Sequence, residues 1–311
     1  MRTARLGLNR IVFKVLLFCL LGNCFLGAQT PPKIEILTSI FPFYEFARAV
    51  CGERGKVEIL IPPGAEVHTW KPKPSDIIKL TRADLFIGVG SVLEPWLDDI
   101  IHSAKNPELV VVRASQFLLL EKDKHESHGH SQNHEGVDPH LWLNFEYDIQ
   151  IVEQLRGVLS QIDPSYADVF RTNAEKYIQR LAALDKKYSN AFSDCSTRTF
   201  IVGGHSAFGY LARRYNLNQV AVYGMNPDSQ PSPRKLIDII RMAKEKKIKV
   251  IFYEFALNDE IARMIAGEVG AKILPLNPGA NVSREEVESG VSFFGIMETN
   301  LENFKIGLSC R

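Results

Sequence analysis

Short runs rich in Val, Ile and Leu alternate with helical stretches along almost the whole chain, and the alternation occurs twice. In the first half KIEILTS, KVEILI, DLFIGVG and LVVVR read as strands, and YEFARAVCG, PSDIIKLTRA and WLDDIIHSA read as helices between them. In the second half the strands are TFIVGG, NQVAVY, KVIFYEF and AKILPL. AFGYLARRYN, SPRKLIDIIRMAKEKK and NDEIARMIAGEVG are the intervening helices, and one more helix is expected from Arg284 to Leu308. Apolar strands joined by helical crossovers pair in parallel, and the helices then cover both faces of the sheet. The predicted fold class is α/β, with two lobes that each hold a parallel sheet flanked by helices.

Between the halves lies PSYADVFRTNAEKYIQRLAALDKKYSNAF. Tyr166, Val169, Phe170, Ala174, Tyr177, Ile178, Leu181, Leu184, Tyr188 and Phe192 recur there at steps of three and four, the period of one helix face. A single helix of that length is a rod of about 45 Å; two helices broken near Asp185 fit the same pattern. A rigid rod is a poor hinge, so lobe movement is expected to be modest. The domain plan is a leader over 1–30, a first lobe over 31–162, a linking helix over 163–194 and a second lobe over 195–311.

The leader has its own logic. Arginines in MRTARLGLNR precede the apolar IVFKVLLFCLLGNCFLG, and small Gly27 and Ala28 follow, as in an export signal. A retained membrane helix is the competing reading, although a bilayer crossing needs roughly 20 apolar residues. Leu21-Gly22-Asn23-Cys24 approximates a lipoprotein signal, with Asn23 departing from the usual small residue before the acylated Cys. The expected location is the periplasm or the outer face of a membrane, with lipid anchoring if Cys24 is acylated. Beyond the leader remain Cys51, Cys195 and Cys310, an odd count without CxxC spacing, which argues against a cysteine metal or redox site. Export permits a disulfide, and Cys195 with Cys310, both in the second lobe, is the expected pair.

Charge excludes one class of partner. Lys plus Arg number 37 against 36 Asp plus Glu, so no excess of either sign favours nucleic acid or another polyanion.

The eight histidines carry the chemistry. His125, His128, His130 and His134 crowd a segment, 121–136, that has no apolar residue and reads as either a weak metal collector or a solvated loop. His102 lies mid-helix and reads as structural. His68, His140 and His205 each fall in a loop after a strand, and parallel sheets gather ligands outside the carboxyl ends of their strands. Position alone leaves both roles open for these three, structural or ligating. Three neutral imidazoles on one ion would suit zinc above all.

PPGAEVHTWKPKPSD, DPHLWLN, GGHSAFGYLARRYNL and EFALNDEIARMIAGEVGAKILPLNP, in that order with the rod between, carry a stronger signal. Together they resemble the metal-binding solute-binding proteins of bacterial zinc and manganese ABC importers, over nearly the whole mature chain. The resemblance implies that His68, His140 and His205 hold a metal in the cleft between lobes. It further implies that a membrane permease with its cytoplasmic ATPase receives the ion, and that the histidine-rich loop is an auxiliary metal site. Asn277 departs from the pattern, because many members carry an Asp ligand there. A fourth donor must then be sought in Glu66, Glu254, Asn277 itself or a water.

A third His with loss of the Asp points to zinc rather than manganese, which favours more oxygen donors. Affinity is expected to fall as pH drops through the histidine range near about 6.5. Trp70, Trp96, Trp142 and Phe208 read as packing residues, with Trp70 and Trp142 placed to shield an ion. The expected protein is a monomeric binder, not an enzyme, that touches the membrane only through a lipid anchor. HExxH and GxSxG are absent. A zinc hydrolase with Glu66 or Glu254 as base and a binder of haem or siderophore complexes are the alternatives.

Overall fold

The structure is a computed structural model that describes residues 33–90, 92–118, 137–225, 231–255, 258–280 and 282–311. The leader with Cys24 and the histidine-rich segment with His125, His128, His130 and His134 lie outside the described residues. Among the described residues no helix is long and apolar enough to cross a membrane.

The first lobe runs β1 (Ile34–Thr38), α1 (Phe41–Cys51), β2 (Gly55–Ile59), α2 (Pro74–Leu80), β3 (Leu85–Gly88), α3 (Leu97–Ala104), β4 (Val110–Arg113), α4 (Ala114–Phe117) and α5 (Phe145–Ile162). Its four strands are all parallel, in the order β2-β1-β3-β4. After the linking helix α6 (Ala167–Ala191), the second lobe runs β5 (Thr199–Val202), α7 (Gly209–Arg214), β6 (Asn218–Ala221), α8 (Pro233–Glu245), β7 (Val250–Glu254), α9 (Glu260–Val269), β8 (Lys272–Leu276), α10 (Arg284–Glu288) and α11 (Phe293–Leu308). Its order, β6-β5-β7-β8, repeats that of the first sheet. In both sheets successive connections leave the first strand in opposite directions. Each sheet therefore opens a crevice at the carboxyl ends of its two central strands, β1 beside β3 and β5 beside β7.

Central strands are buried on both faces, as parallel packing demands. LFIG of β3 and TFIV of β5 have no exposed residue. The linking helix is continuous through Asp185, 25 residues in one piece and so about 38 Å long. Its stripe buries Phe170, Ala174, Tyr177, Leu181, Leu184 and Tyr188, whereas Val169, on the same predicted stripe, faces solvent. Each large side chain so buried contributes roughly 1.5–3 kcal/mol. One cluster of buried residues joins this stripe to both lobes, from Ile34, Phe46 and Leu85 to Phe200, Phe252 and Phe304.

The tail departs from expectation. Instead of one helix from Arg284 to Leu308 there are two, α10 and α11. Gly290 adopts a positive φ of 76°, and Ser292 then starts a new helix by accepting a hydrogen bond from the Gly295 amide at 3.1 Å. Cys195 and Cys310 are bridged, and the Thr197 amide donates to the Leu308 carbonyl beside them. The end of α11 is thus fastened at the amino end of β5. Cys51 is a buried free thiol.

Candidate metal centre

His205 follows β5 through Gly203 and Gly204, and Glu254 is the last residue of β7. Because β5 and β7 are hydrogen-bonded neighbours, the two side chains meet at the crevice of the second sheet. Nδ1 of His205 lies 2.5 Å from Oε2 of Glu254. A Cβ added at Gly204 would stand 2.9 Å from the same oxygen, so the loop can reach this carboxylate only without a side chain there.

His140 is held by the same device built from different elements. Oδ1 of Asp138 accepts both the His140 backbone amide at 3.0 Å and Nδ1–H of its ring at 2.7 Å. A 3-10 turn, Leu141–Leu143, follows, and all three of its side chains are buried. Trp142 packs edge-on against His140, with ring centroids 5.4 Å apart, and its Nε1–H donates to the Pro278 carbonyl across the cleft at 2.7 Å. His68 lies in the loop after β2, where its backbone amide donates to Oε1 of Glu66 at 3.1 Å. Two backbone bonds bring the segment after β8 onto the first lobe: Phe41 N–H to Ala280 O at 3.1 Å and Gly64 N–H to Val282 O at 3.0 Å.

These supports aim three rings at one point. Nε2 of His140 lies 3.0 Å from Nε2 of His205 and 3.3 Å from Nε2 of His68. Among the described residues, the group of His, Cys, Asp or Glu donors lying within 4.8 Å of one another consists of these three imidazoles. A carboxylate only accepts, so Asp138 and Glu254 fix the Nδ1–H tautomer of their histidines and leave both Nε2 lone pairs facing each other. Two lone pairs 3.0 Å apart repel unless a cation sits between them. Bonds of about 2.0–2.1 Å to a tetrahedral ion set neighbouring nitrogens about 3.3 Å apart, close to the spacing found. His140 and His205 are 1% and 3% exposed, and His68 is half-buried. Burial, reinforced by the neighbouring His140 and His205, pushes His68 down to about 3, so this ring stands ready as a neutral donor.

The cavity at the trio measures about 150 Å³ and is also lined by Glu66, Glu254 and Asn277. All three already make one hydrogen bond beside the trio. Glu254 turns an oxygen to His205, Glu66 turns one to the His68 amide, and Oδ1 of Asn277 accepts from the Gly279 amide at 2.8 Å.

A family model described as zinc-uptake complex component A, periplasmic (ZnuA), matches residues 36–307. The chain belongs to this family. The high-affinity zinc uptake system protein ZnuA of Bacillus subtilis strain 168 is 34% identical over 281 residues, covering 89% of this chain and 88% of that protein. Zinc-binding protein AdcA of Streptococcus pyogenes serotype M18 is 32% identical over 288 residues, covering 88% of this chain and 56% of AdcA. The chain therefore spans just over half the length of the AdcA proteins it matches. The crystal structure of the Zn(II)-bound ZnuA-like domain of Streptococcus pneumoniae AdcA is similar with a TM-score of 0.76 and 31% identity, covering 89% of this chain and 99% of that chain.

Other singled-out residues of this ZnuA-family chain lie apart from the trio. His102 is exposed on α3. Trp70 and Trp96 pack edge-on against each other with centroids 5.1 Å apart, and Phe208 is fully buried. Asp138 is the site residue that sequence reasoning missed. Its signal was present, a carboxylate two residues before His140 with Pro139 between them.

Proposed function

We propose that this ZnuA-family chain captures a divalent metal ion, zinc, between its lobes in the cell envelope and hands it to an ABC permease for import. The observation that carries the reading is the meeting of His68, His140 and His205, with Nε2 of His140 3.0 Å and 3.3 Å from those of its two neighbours, and with the lone pairs of His140 and His205 forced inward by carboxylates. An all-nitrogen set of neutral donors suits zinc better than manganese. Carboxylates behind the histidines tighten that preference by raising the basicity of the rings they hold. The fourth donor is a water or a remaining oxygen of Glu66, Glu254 or Asn277, all of which line the same cavity. A cavity of about 150 Å³ is small for a haem or siderophore complex, as pockets for molecules of that size run to about 300–1,000 Å³. The hydrolase alternative needs a free general base, and the two candidates for it, Glu66 and Glu254, already hold the metal-site loops.

Residues 121–136 act as an auxiliary collector that feeds the central site, and acylation of Cys24 would keep the protein at a membrane surface. The permease and its ATPase are the partners, and the binding protein works as a monomer.

Competition with a chromogenic chelator tests the reading. The mature protein should bind one zinc tightly and manganese far more weakly, and His68→Ala, His140→Ala and His205→Ala should each abolish the tight site. Deleting 122–135 should lower zinc stoichiometry and leave that site intact. A tight site that survives any one of the three alanine substitutions would overturn the assignment.

A further inference from the structure

The carboxylate that holds His140 is itself held, and from the other lobe. One oxygen of Asp138 is taken by the His140 ring and amide. The other faces α7, where Nη2 of Arg213 lies 3.7 Å away. Asp138 is buried, and a buried carboxylate is expensive without a compensating cation. His140 gives it hydrogen bonds, and Arg213 gives it charge. The guanidinium is steadied by the Tyr210 ring, 4.5 Å below it, and that ring packs edge-on against Tyr147 of α5 in the first lobe.

Gly209 makes the approach possible. A Cβ at this position would stand 2.5 Å from Oδ2 of Asp138 and 3.3 Å from Nη1 of Arg213. Two residues four apart on one short helix therefore meet the same oxygen, one by charge and one by the absence of a side chain.

We propose that Gly209 and Arg213 are positioning residues for His140, seating Asp138 from the second lobe so that the rate of ion release depends on contact between lobes. This rests on the reading of the three imidazoles as metal ligands. Two effects of losing Arg213 oppose each other. An unshared carboxylate would pull harder on Nδ1–H and tighten binding, whereas an unseated one would let the ring swing. At 3.7 Å, with Arg213 about one-third exposed, the electronic effect is screened and the seating effect wins.

Stopped-flow release of zinc to excess chelator, at fixed pH and salt, tests this. Arg213→Met and Gly209→Ala should each release zinc roughly tenfold faster, the size typical of losing an outer partner of a metal ligand, with the association rate unchanged. Arg213→Lys should restore most of the slow release, which a merely structural role would not predict. In an Asp138→Asn background Arg213→Met should add nothing further. If Arg213→Met and Gly209→Ala both release zinc at the wild-type rate or more slowly, or if the effects of Arg213→Met and Asp138→Asn multiply, the positioning role is wrong. His140→Ala separates the two layers: a tight site retained in that variant would sink the ligand assignment instead.

Discussion

Glu254 closes β7 by accepting, at 2.5 Å, the Nδ1 proton of a histidine that belongs to the neighbouring strand's loop. The carboxylate stands behind His205 and turns its other nitrogen to the cleft. Glu254→Gln keeps an acceptor and loses the charge; Glu254→Ala loses both. Zinc affinity should fall about tenfold in the first and up to about a hundredfold in the second, read by chelator competition. Equal affinity in all three proteins would remove Glu254 from any orienting role.

His68 makes the metal-free protein sensitive to acid. Its imidazole is held down to about 3 by burial and by His140 and His205, against an ordinary value of 6.5. Between these limits the unfolded chain binds a proton that the folded chain refuses. Stability is therefore present above the upper limit and drains away as pH falls toward the lower one, with a slope of up to about 1.4 kcal/mol per pH unit. Urea unfolding of the metal-free protein against pH should show this slope, and His68→Gln should flatten it. Parallel curves would mean that His68 is not held neutral.

The bridge between Cys195 and Cys310 spans 115 residues of chain. Cross-linking a loop of that length removes unfolded-state entropy worth roughly 2–5 kcal/mol. Cys195→Ser with Cys310→Ser should lower the unfolding free energy by about that amount. Zinc affinity should not change, because the bridge sits at the amino end of β5 and His205 follows its carboxyl end. A loss of affinity with unchanged stability would contradict both halves of this expectation.

Arg214 joins three elements. It donates to both oxygens of Asp185 on α6, at 2.6 and 2.7 Å, and to Glu146 on α5 at 2.6 Å, while the Tyr215 hydroxyl donates to the same Asp185 at 2.6 Å. Arg214→Met leaves Asp185 short of its charged partner and should destabilise the protein by about 1–3 kcal/mol in urea. Arg214→Lys should recover only part, because an ammonium cannot make the paired donation of a guanidinium. Full recovery by Lys would show that charge alone matters there.

The strands and the rod were readable because parallel sheets bury both strand faces and a long helix shows its stripe directly. The break at Gly290 escaped notice because it rests on one glycine's backbone angle and the cap at Ser292. His68, His140 and His205 stand some seventy residues apart, so their meeting was a matter of strand order, and the resemblance of the surrounding segments had to supply it. The orienting role of Glu254 was harder still. Which oxygen of Glu254 faces His205 depends on β5 lying beside β7, a pairing that spacing does not encode.

The cluster of buried side chains that runs unbroken from Ile34 to Phe304 has a mechanical consequence. Prising the halves apart as rigid jaws would tear that shared interior and wet it, so on the proposed reading any opening of the cleft has to be a local affair. The loops bearing the imidazoles are then the parts free to move while the body behind them stays shut.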